Sequence, residues 1–290
     1  MTLSLPGLRR ANDSARADGQ GSIAAPEAQE TLLSLSNVSK RFQNSRHDTT
    51  ALQDVSLEIR RGEFICVVGP SGCGKSTLLN LVAGLDKASE GEAIFDGASI
   101  RSSGADRVLV FQEAALYPWL NVRANVEFGL KLKRVPVRGR RDIVDRYLEL
   151  VNLTKFEKAF VHELSGGMKQ RVQLARALAV EPRMLLMDEP FAALDAQTRD
   201  GLQLELQDIW ARTGSTVLFI THNVREAALL ADRVFVMTPS PGQIKAEIPV
   251  PLQRPRHLDT HAVADFAAEI RAALQDEEFA RRAAEETFAI

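Results

Sequence analysis

The sequence predicts an α/β fold built around a strand, a phosphate-binding loop and a helix, and three observations carry that prediction. Gly69-Pro70-Ser71-Gly72-Cys73-Gly74-Lys75-Ser76-Thr77 places two glycines four residues apart and follows them with Lys and Ser, the pattern of a loop that cradles phosphates. Phe64–Val68 is a short, wholly apolar, β-leaning run that leads into the loop, as a buried strand does. Leu78, Leu79, Leu81 and Val82 then recur at helical spacing until Gly84 supplies a stop. The glycines let the backbone curl so that several N–H groups point inward, and the helix N-terminus adds positive dipole. Gly69 to Thr77 are therefore the candidate cradle for a nucleoside triphosphate. Lys75 can reach its β- and γ-phosphates, and the Ser76 hydroxyl can complete a Mg2+ shell.

Composition narrows the classes open to such a site. The 290 residues are 45% hydrophobic, ample for a core, and 36 basic against 38 acidic residues leave a net charge of −2. Nothing in that balance argues for a nucleic-acid partner. No apolar run approaches the ~18–20 residues that cross a bilayer, so the chain is expected to be soluble and to meet a membrane through a partner. Cys66 and Cys73 are the two cysteines, both within the phosphate-loop unit. A disulfide between them would distort the loop, and free thiols suit a reducing cytosol. Cys73 reads as a small residue donating its backbone N–H.

Taken in order, residues 1–31 are rich in Ala, Ser, Gly, Asp and Arg without hydrophobic period and read as a disordered leader. Arg9-Arg10 is not followed by the apolar core of an export signal. Leu32 to Phe42 alternates apolar and polar residues as an edge strand would, and a polar segment over Gln43–Thr50 follows. Leu52, Val55, Leu57 and Ile59 mark a second strand before Gly62 turns the chain into Phe64–Val68. Glu92–Phe95, Asp96-Gly97 and Ala98–Ile100 form a predicted hairpin with an Asp-Gly turn. Arg107–Phe111 is a further apolar strand delivering Gln112-Glu113.

From about Asn121 to Ala179 the period becomes helical. Val122, Val126 and Leu130, then Ile143, Tyr147, Leu148 and Val151, mark amphipathic helices separated by Val135–Gly139. This is a predicted helical subdomain inserted into the α/β body, and it contains Leu164-Ser165-Gly166-Gly167-Met168-Lys169-Gln170 and a helix running to Pro182. The α/β pattern resumes with the strand Met184–Met187, a helix over Ala196–Ala211, the strand Thr216–Ile220, a helix, the strand Arg233–Met237 and an edge strand over Ile244–Ile248. Beyond Leu258, Phe266, Ile270, Leu274 and Phe279 share one face of an amphipathic helix expected to pack on the body.

Chemistry converges on the triphosphate. Asp188 ends an apolar strand, where a carboxylate can hold Mg2+ directly or through water. Glu189 follows it and can polarise a water for in-line attack on the γ-phosphate. Ser165-Gly166-Gly167 opens a helix whose amides and dipole suit an anion.

Gly69–Thr77, Gln112, Leu164–Gln170, Met184–Glu189, Ala193-Leu194-Asp195 and His222 stand in an order that resembles ABC transporter ATPase subunits over residues 32 to 250. The resemblance implies a P-loop NTPase core of ABC type with an antiparallel β subdomain and an inserted α-helical subdomain (about 121–179), followed by a tail over 251–290. It implies ATP and Mg2+ as ligands. Phe42 takes the place of the aromatic that stacks on adenine, against the plainer reading of a strand aromatic. Gln112 matches the loop glutamine that contacts Mg2+ and the attacking water, and His222 the histidine that touches the γ-phosphate. Ser165, Gly166 and Gly167 would face the ATP of a second copy in a head-to-tail dimer, and Asp195 would cross the same interface. Glu113, Tyr117, Trp119 and Leu120 would line the groove that receives the membrane subunit, or pack between subdomains.

Met168 stands where the superfamily more commonly has Gln. With Val110–Glu113, Tyr117–Leu120, Asn125-Val126, Glu189–Asp195, Phe42, Lys169, Gln170 and Arg171, it resembles the importer branch for nitrate, taurine and aliphatic sulfonates. The implied partners are two membrane permease subunits and an extracytoplasmic solute-binding protein, at the cytoplasmic face of the cell membrane. Lipoprotein or drug exporters share the core motifs and stay open at this stage. Non-transport ABC ATPases usually carry two nucleotide domains or long coiled-coil insertions, and a purely regulatory ATP site would not need Lys75, Asp188, Glu189 and His222 together.

Overall fold

Burial in the sequence divides the strands between two sheets. The computed structural model describes residues 30–43 and 48–287, with side chains as far as Gln275, so the expected leader before Glu30 and the side chain of Phe279 lie outside the described residues. The larger sheet has six strands in the order β10-β9-β3-β8-β7-β6. These are β3 (Phe64–Val68), β6 (Arg107–Val110), β7 (Met184–Asp188), β8 (Thr216–Thr221), β9 (Arg233–Met237) and β10 (Ile244–Pro249). The pairs β6–β7, β7–β8, β8–β3 and β3–β9 are parallel, and β10 closes the edge antiparallel to β9. Continuous apolar runs make β3, β7, β8 and β9, which are covered on both faces, whereas the edge strand β10 alternates. Phe64, Cys66 and Val68 face one core, and Ile65 and Val67 face the other, the alternation that the pleat imposes.

The registers decide where the site can be. Val68 pairs with Thr221, Asp188 with Ile220, and Val110 with Met187. The parallel strands therefore release the phosphate loop, Gln112, Glu189 and His222 along one edge of the sheet, where ligands bind in open α/β folds.

The second sheet is antiparallel, in the order β2-β1-β4-β5, with β1 (Thr31–Gln43), β2 (Asp48–Arg60), β4 (Glu90–Phe95) and β5 (Ala98–Ser99). The expected edge strand is not at an edge: β1 is flanked on both sides, Leu33 pairing with Ile59 of β2 and Phe95 of β4. Alternation reports that one face of a strand is buried, not how many neighbours it has. Gln43 and Asp48–Thr50, expected in a polar connection, are rungs of the β1–β2 ladder, because main-chain pairing does not require apolar side chains. The Asp96-Gly97 turn has φ of 52° and 75°, the mirror-image turn that suits strand twist.

Helix α1 (Lys75–Ala83) packs on the face shared with the antiparallel sheet. The helical block comprises α2 (Val122–Leu132), α3 (Val137–Leu150) and α4 (Gly166–Ala179). Val137–Gly139, expected in a break, are the first turn of α3, whose entry follows Pro136. The fold is completed by α5 (Ala196–Thr213), α6 (Val224–Leu230) and α7 (His261–Thr287). Val263, Phe266, Ala267 and Ile270 of α7 are buried. The chain before it is held by Arg256, whose guanidinium donates to the carbonyls of Ala228, Ala231 and Leu252. Burial, with the nearby Arg254 charge, pushes its pKa down to about 10. Among the described residues no helix is long and apolar enough to cross a membrane.

Candidate nucleotide-binding site

The phosphate loop takes its shape from two left-handed glycines, Gly72 (φ 78°) and Gly74 (φ 96°). Gly74 is the N-cap of α1, and no side chain bonds the first amides of that helix. A Cβ there would stand 2.7 Å from the Ala51 carbonyl oxygen and the Leu52 Cδ2, so the position admits only glycine. Lys75 is buried, and its ammonium donates to the carbonyls of Gly69 at 2.8 Å and Pro70 at 2.9 Å. It thus spans the loop with its charge fixed at the cradle. Cys73 is buried and free, as is Cys66, and burial pushes both thiols up. Neither is a poised nucleophile.

Beside the loop, burial pushes the Asp188 carboxyl up, opposed by a hydrogen bond from Ser76 and by the Lys75 charge. Two oxygens of the hard-ligand class thus meet at the entrance to α1, a donor pair that fits Mg2+, which is usually held by one or two carboxylates plus phosphates and water. Glu189 is held at φ 44°, a backbone conformation costly for a non-glycine residue and concentrated at functional sites. Its amide donates to the Ile220 carbonyl at 3.0 Å, and its Oε2 lies 2.8 Å from His222 Nδ1. The His222 ring is 62% exposed, so a histidine open to solvent is aimed by a half-buried carboxylate.

Gln112 has an exposed side chain and an anchored backbone. Gln170 Nε2 donates to its carbonyl at 3.0 Å, and Gln173 Nε2 to that of Phe111 at 3.2 Å. Two buried glutamines of α4 therefore grip the segment that carries Gln112. Phe42, near the end of β1, is partly exposed, with the Lys40 ammonium 4.8 Å from its ring centroid.

Ser165, Gly166, Gly167 and Asp195 form a second group. Ser165 caps α4, its Oγ accepting from the Met168 amide at 3.3 Å, and Asp195 caps α5, accepting from Thr198 at 3.0 Å. Hydrogen bonds from the Thr198 end of α5 hold the Asp195 carboxyl below its usual range. A Cβ on Gly167 would come within 2.6 Å of Thr198 Cγ2, so the two helix starts lie side by side. Among the described residues no hydrogen bond joins this group to Gly69–Thr77.

The segment after Gln112 is packed at Tyr117 and open at Trp119. Tyr117 packs its ring on Phe128 at 4.3 Å and on Trp119 at 5.6 Å, and its amide donates to Asn125 Oδ1. Trp119 is 70% exposed. Leu120 is half-buried and Glu113 exposed. Asn125, fully buried, gives its Nδ2 to the carbonyls of Tyr117, Leu120 and Asn121. Asn125, Gln170, Gln173 and Glu226 were not singled out from sequence for these roles. The available signal was a polar side chain at a position where the helical period calls for an apolar one.

Comparison with known proteins places this geometry. The family described as "ABC transporter" matches residues 52–192. The nitrate import ATP-binding protein NrtD of Synechocystis sp. is 48% identical over 220 residues, 76% of this chain and 83% of the relative. The taurine import ATP-binding protein TauB of Roseobacter denitrificans is 49% identical over 222 residues, 76% and 83% of the two chains. A solved dimeric ATP-binding cassette in a post-hydrolysis state with ADP and Pi superposes with a TM-score of 0.67 at 32% identity, covering 77% of this chain and all of that one.

Proposed function

The chain belongs to the ABC transporter ATP-binding family, and we propose that it hydrolyses ATP to energise import of nitrate, taurine or an aliphatic sulfonate. The observation that carries the ATPase reading is the 2.8 Å contact between Glu189 and His222 at the sheet edge that also bears Lys75, Ser76 and Asp188. The solute class rests on the relatives that import nitrate and taurine.

Each residue has a physical task in this reading. The backbone of Gly69–Thr77 cradles the phosphates, Lys75 neutralises charge at the β- and γ-positions, and Phe42 offers a flat face to the base. Ser76 and Asp188, with Gln112, would hold Mg2+, which supplies charge neutralisation on the phosphate oxygens. Glu189 orients and deprotonates the attacking water, and His222 steadies the γ-phosphate from the other side. Burial and the Glu189 charge push the Asp188 carboxyl up, and a bound cation would offset both by favouring its ionised form.

In the half-site formed by Ser165, Gly166, Gly167 and Asp195, Gly167 is buried against α5 while Ser165, Gly166 and Asp195 are exposed. In a head-to-tail dimer this half-site would cover the triphosphate of the second copy, so two chains make two complete sites. Residues 32–250 are the ATPase domain in this reading, with 121–179 as its helical arm and 251–290 as the tail. Glu113, Trp119 and Leu120 would meet two permease subunits at the cytoplasmic face of the membrane, with Tyr117 as the packed support. A solute-binding protein outside would deliver the cargo.

Replacing Glu189 by Gln tests the assignment. ATP binding is expected to persist while turnover falls by ~10²–10⁴, leaving an ATP-loaded dimer visible by size-exclusion with light scattering. Wild-type turnover in that variant would remove Glu189 from the role.

A further inference from the structure

We propose that Glu226 is a positioning residue that fixes the backbone around His222 and ties it to α5, the helix capped by Asp195. The proposal rests on the roles given above to His222 and Asp195.

Glu226 lies in the first turn of α6 and is 5% exposed. Its Oε2 accepts from the Thr221 hydroxyl at 2.6 Å, and that same hydroxyl oxygen accepts from the Asn223 amide at 2.9 Å. Thr221 and Asn223 are the two chain neighbours of His222, so the histidine's backbone is pinned on both sides. The ring is 62% exposed and its Nδ1 meets Glu189 Oε2 at 2.8 Å, so the pinned main chain below it limits where the ring can point. The other carboxylate oxygen, Oε1, accepts from Gln203 Nε2 at 2.9 Å. Gln203 is 1% exposed and lies eight residues along α5 from Asp195, about 12 Å at the helical rise.

The arrangement is expensive if stability is its only purpose. A carboxylate removed from water with a single hydroxyl and a single amide as donors costs more than an apolar side chain of similar size would. Burial pushes the Glu226 carboxyl up, with Thr221, Arg199, His222 and Gln203 opposing. What the carboxylate supplies is a rigid two-ended link. One end holds the residues that aim His222, and the other holds the helix whose first residue would touch the second copy. A displacement of α5 on dimer closure then reaches the backbone around His222 through two buried hydrogen bonds and one part-buried one rather than through a loop.

Steady-state hydrolysis by the full chain with its membrane subunits tests this, with thermal melts run in parallel. Glu226→Leu is expected to lower kcat by ~30-fold with KM for ATP within about twofold, and Glu226→Gln, whose oxygen can accept from Thr221 while its amide donates to Gln203 Oε1 once the Gln203 amide flips, to stay within about threefold of wild type. Gln203→Leu is expected to lower kcat by ~5-fold and to bring the Hill coefficient for ATP toward about 1, and the Gln203→Leu/Glu226→Leu double variant to be no worse than Glu226→Leu alone. If Glu226→Leu does not fold, Glu226→Gln against Gln203→Leu decides. The proposal is overturned by near-wild-type kcat in Glu226→Leu or Gln203→Leu, by Glu226→Gln falling as far as Glu226→Leu, or by losses that add or that follow the melting temperatures. An inactive His222→Ala beside an unimpaired Glu226→Leu sinks only this proposal, whereas a fully active His222→Ala sinks the role of the histidine as well.

Discussion

At the start of α1 the cap is a glycine at φ 96° with no side-chain bond to the helix amides, whereas at the start of α4 Ser165 bonds the Met168 amide itself. Both helix ends carry the same positive dipole. One leaves its amides without a side-chain cap and adds the buried Lys75 ammonium; the other satisfies an amide within the chain and exposes Ser165 and Gly166. On the proposed function, the first is a binding site in a single chain and the second a surface that acts only when another molecule brings it a phosphate. Two acids repeat the contrast. Asp188 beside α1 is pushed up by burial, and Asp195 beside α4 is held down by hydrogen bonds.

The largest expected effect breaks the α1 side. Lys75→Ala removes the buried ammonium that spans the cradle and should lower turnover by ~10³-fold or more, with ATP affinity weakened in the same titration. The α4 side should separate binding from hydrolysis. Ser165→Arg is expected to cut turnover by ~10²-fold while the monomer's Kd for ATP stays within about twofold; equal loss of both in calorimetry would place Ser165 in its own chain's site. Trp119→Ala addresses a third surface. It should abolish solute uptake in reconstituted vesicles and spare basal hydrolysis, whereas equal loss of both would make Trp119 a packing residue.

The smallest effects are in stability, and they have opposite signs. A carboxyl whose folded pKa is raised makes the folded state favour the proton. Asp188 therefore costs stability once pH rises above the ordinary value of 3.8 and through its folded value. Asp188→Asn should raise the thermal midpoint of the nucleotide-free chain by a few degrees at pH 7, with no gain below the ordinary carboxyl range. Asp195 has a lowered pKa, so its contribution is present above 3.8 and lost as pH falls through its folded value. Asp195→Asn should lower the midpoint slightly at pH 7 and not at strongly acid pH. Melts of both variants across pH would check the pair.

Much of this was legible because it is local. The phosphate loop, the strand before it and the helix after it are contiguous, and their chemistry follows from glycine freedom, apolar run length and helical period. Asp188 and Glu189 were legible for the same reason, as acids ending a buried strand. The role of β1 was not, since pairing on both sides depends on β4, some fifty residues on, and alternation looks the same with one neighbour or two. Asn125, Gln173 and Glu226 were not legible either. A polar side chain where the helical period calls for an apolar one hints at burial, but what it holds is set only once its partners, such as the carbonyls of Tyr117 and Phe111 or the hydroxyl of Thr221, are in place.

The sequence by itself determined that a triphosphate cradle exists, which residues line it and the order of strands and helices around it, because each of those is set by a few neighbouring residues. Tertiary structure alone decided that Gln112, Glu189 and His222 follow strands ending along the same sheet edge as the loop, that Ser165 and Asp195 lie together, and that buried Glu226 bonds the residue before the histidine. Those depend on strand register and helix packing between residues tens of positions apart, and no local pattern encodes them.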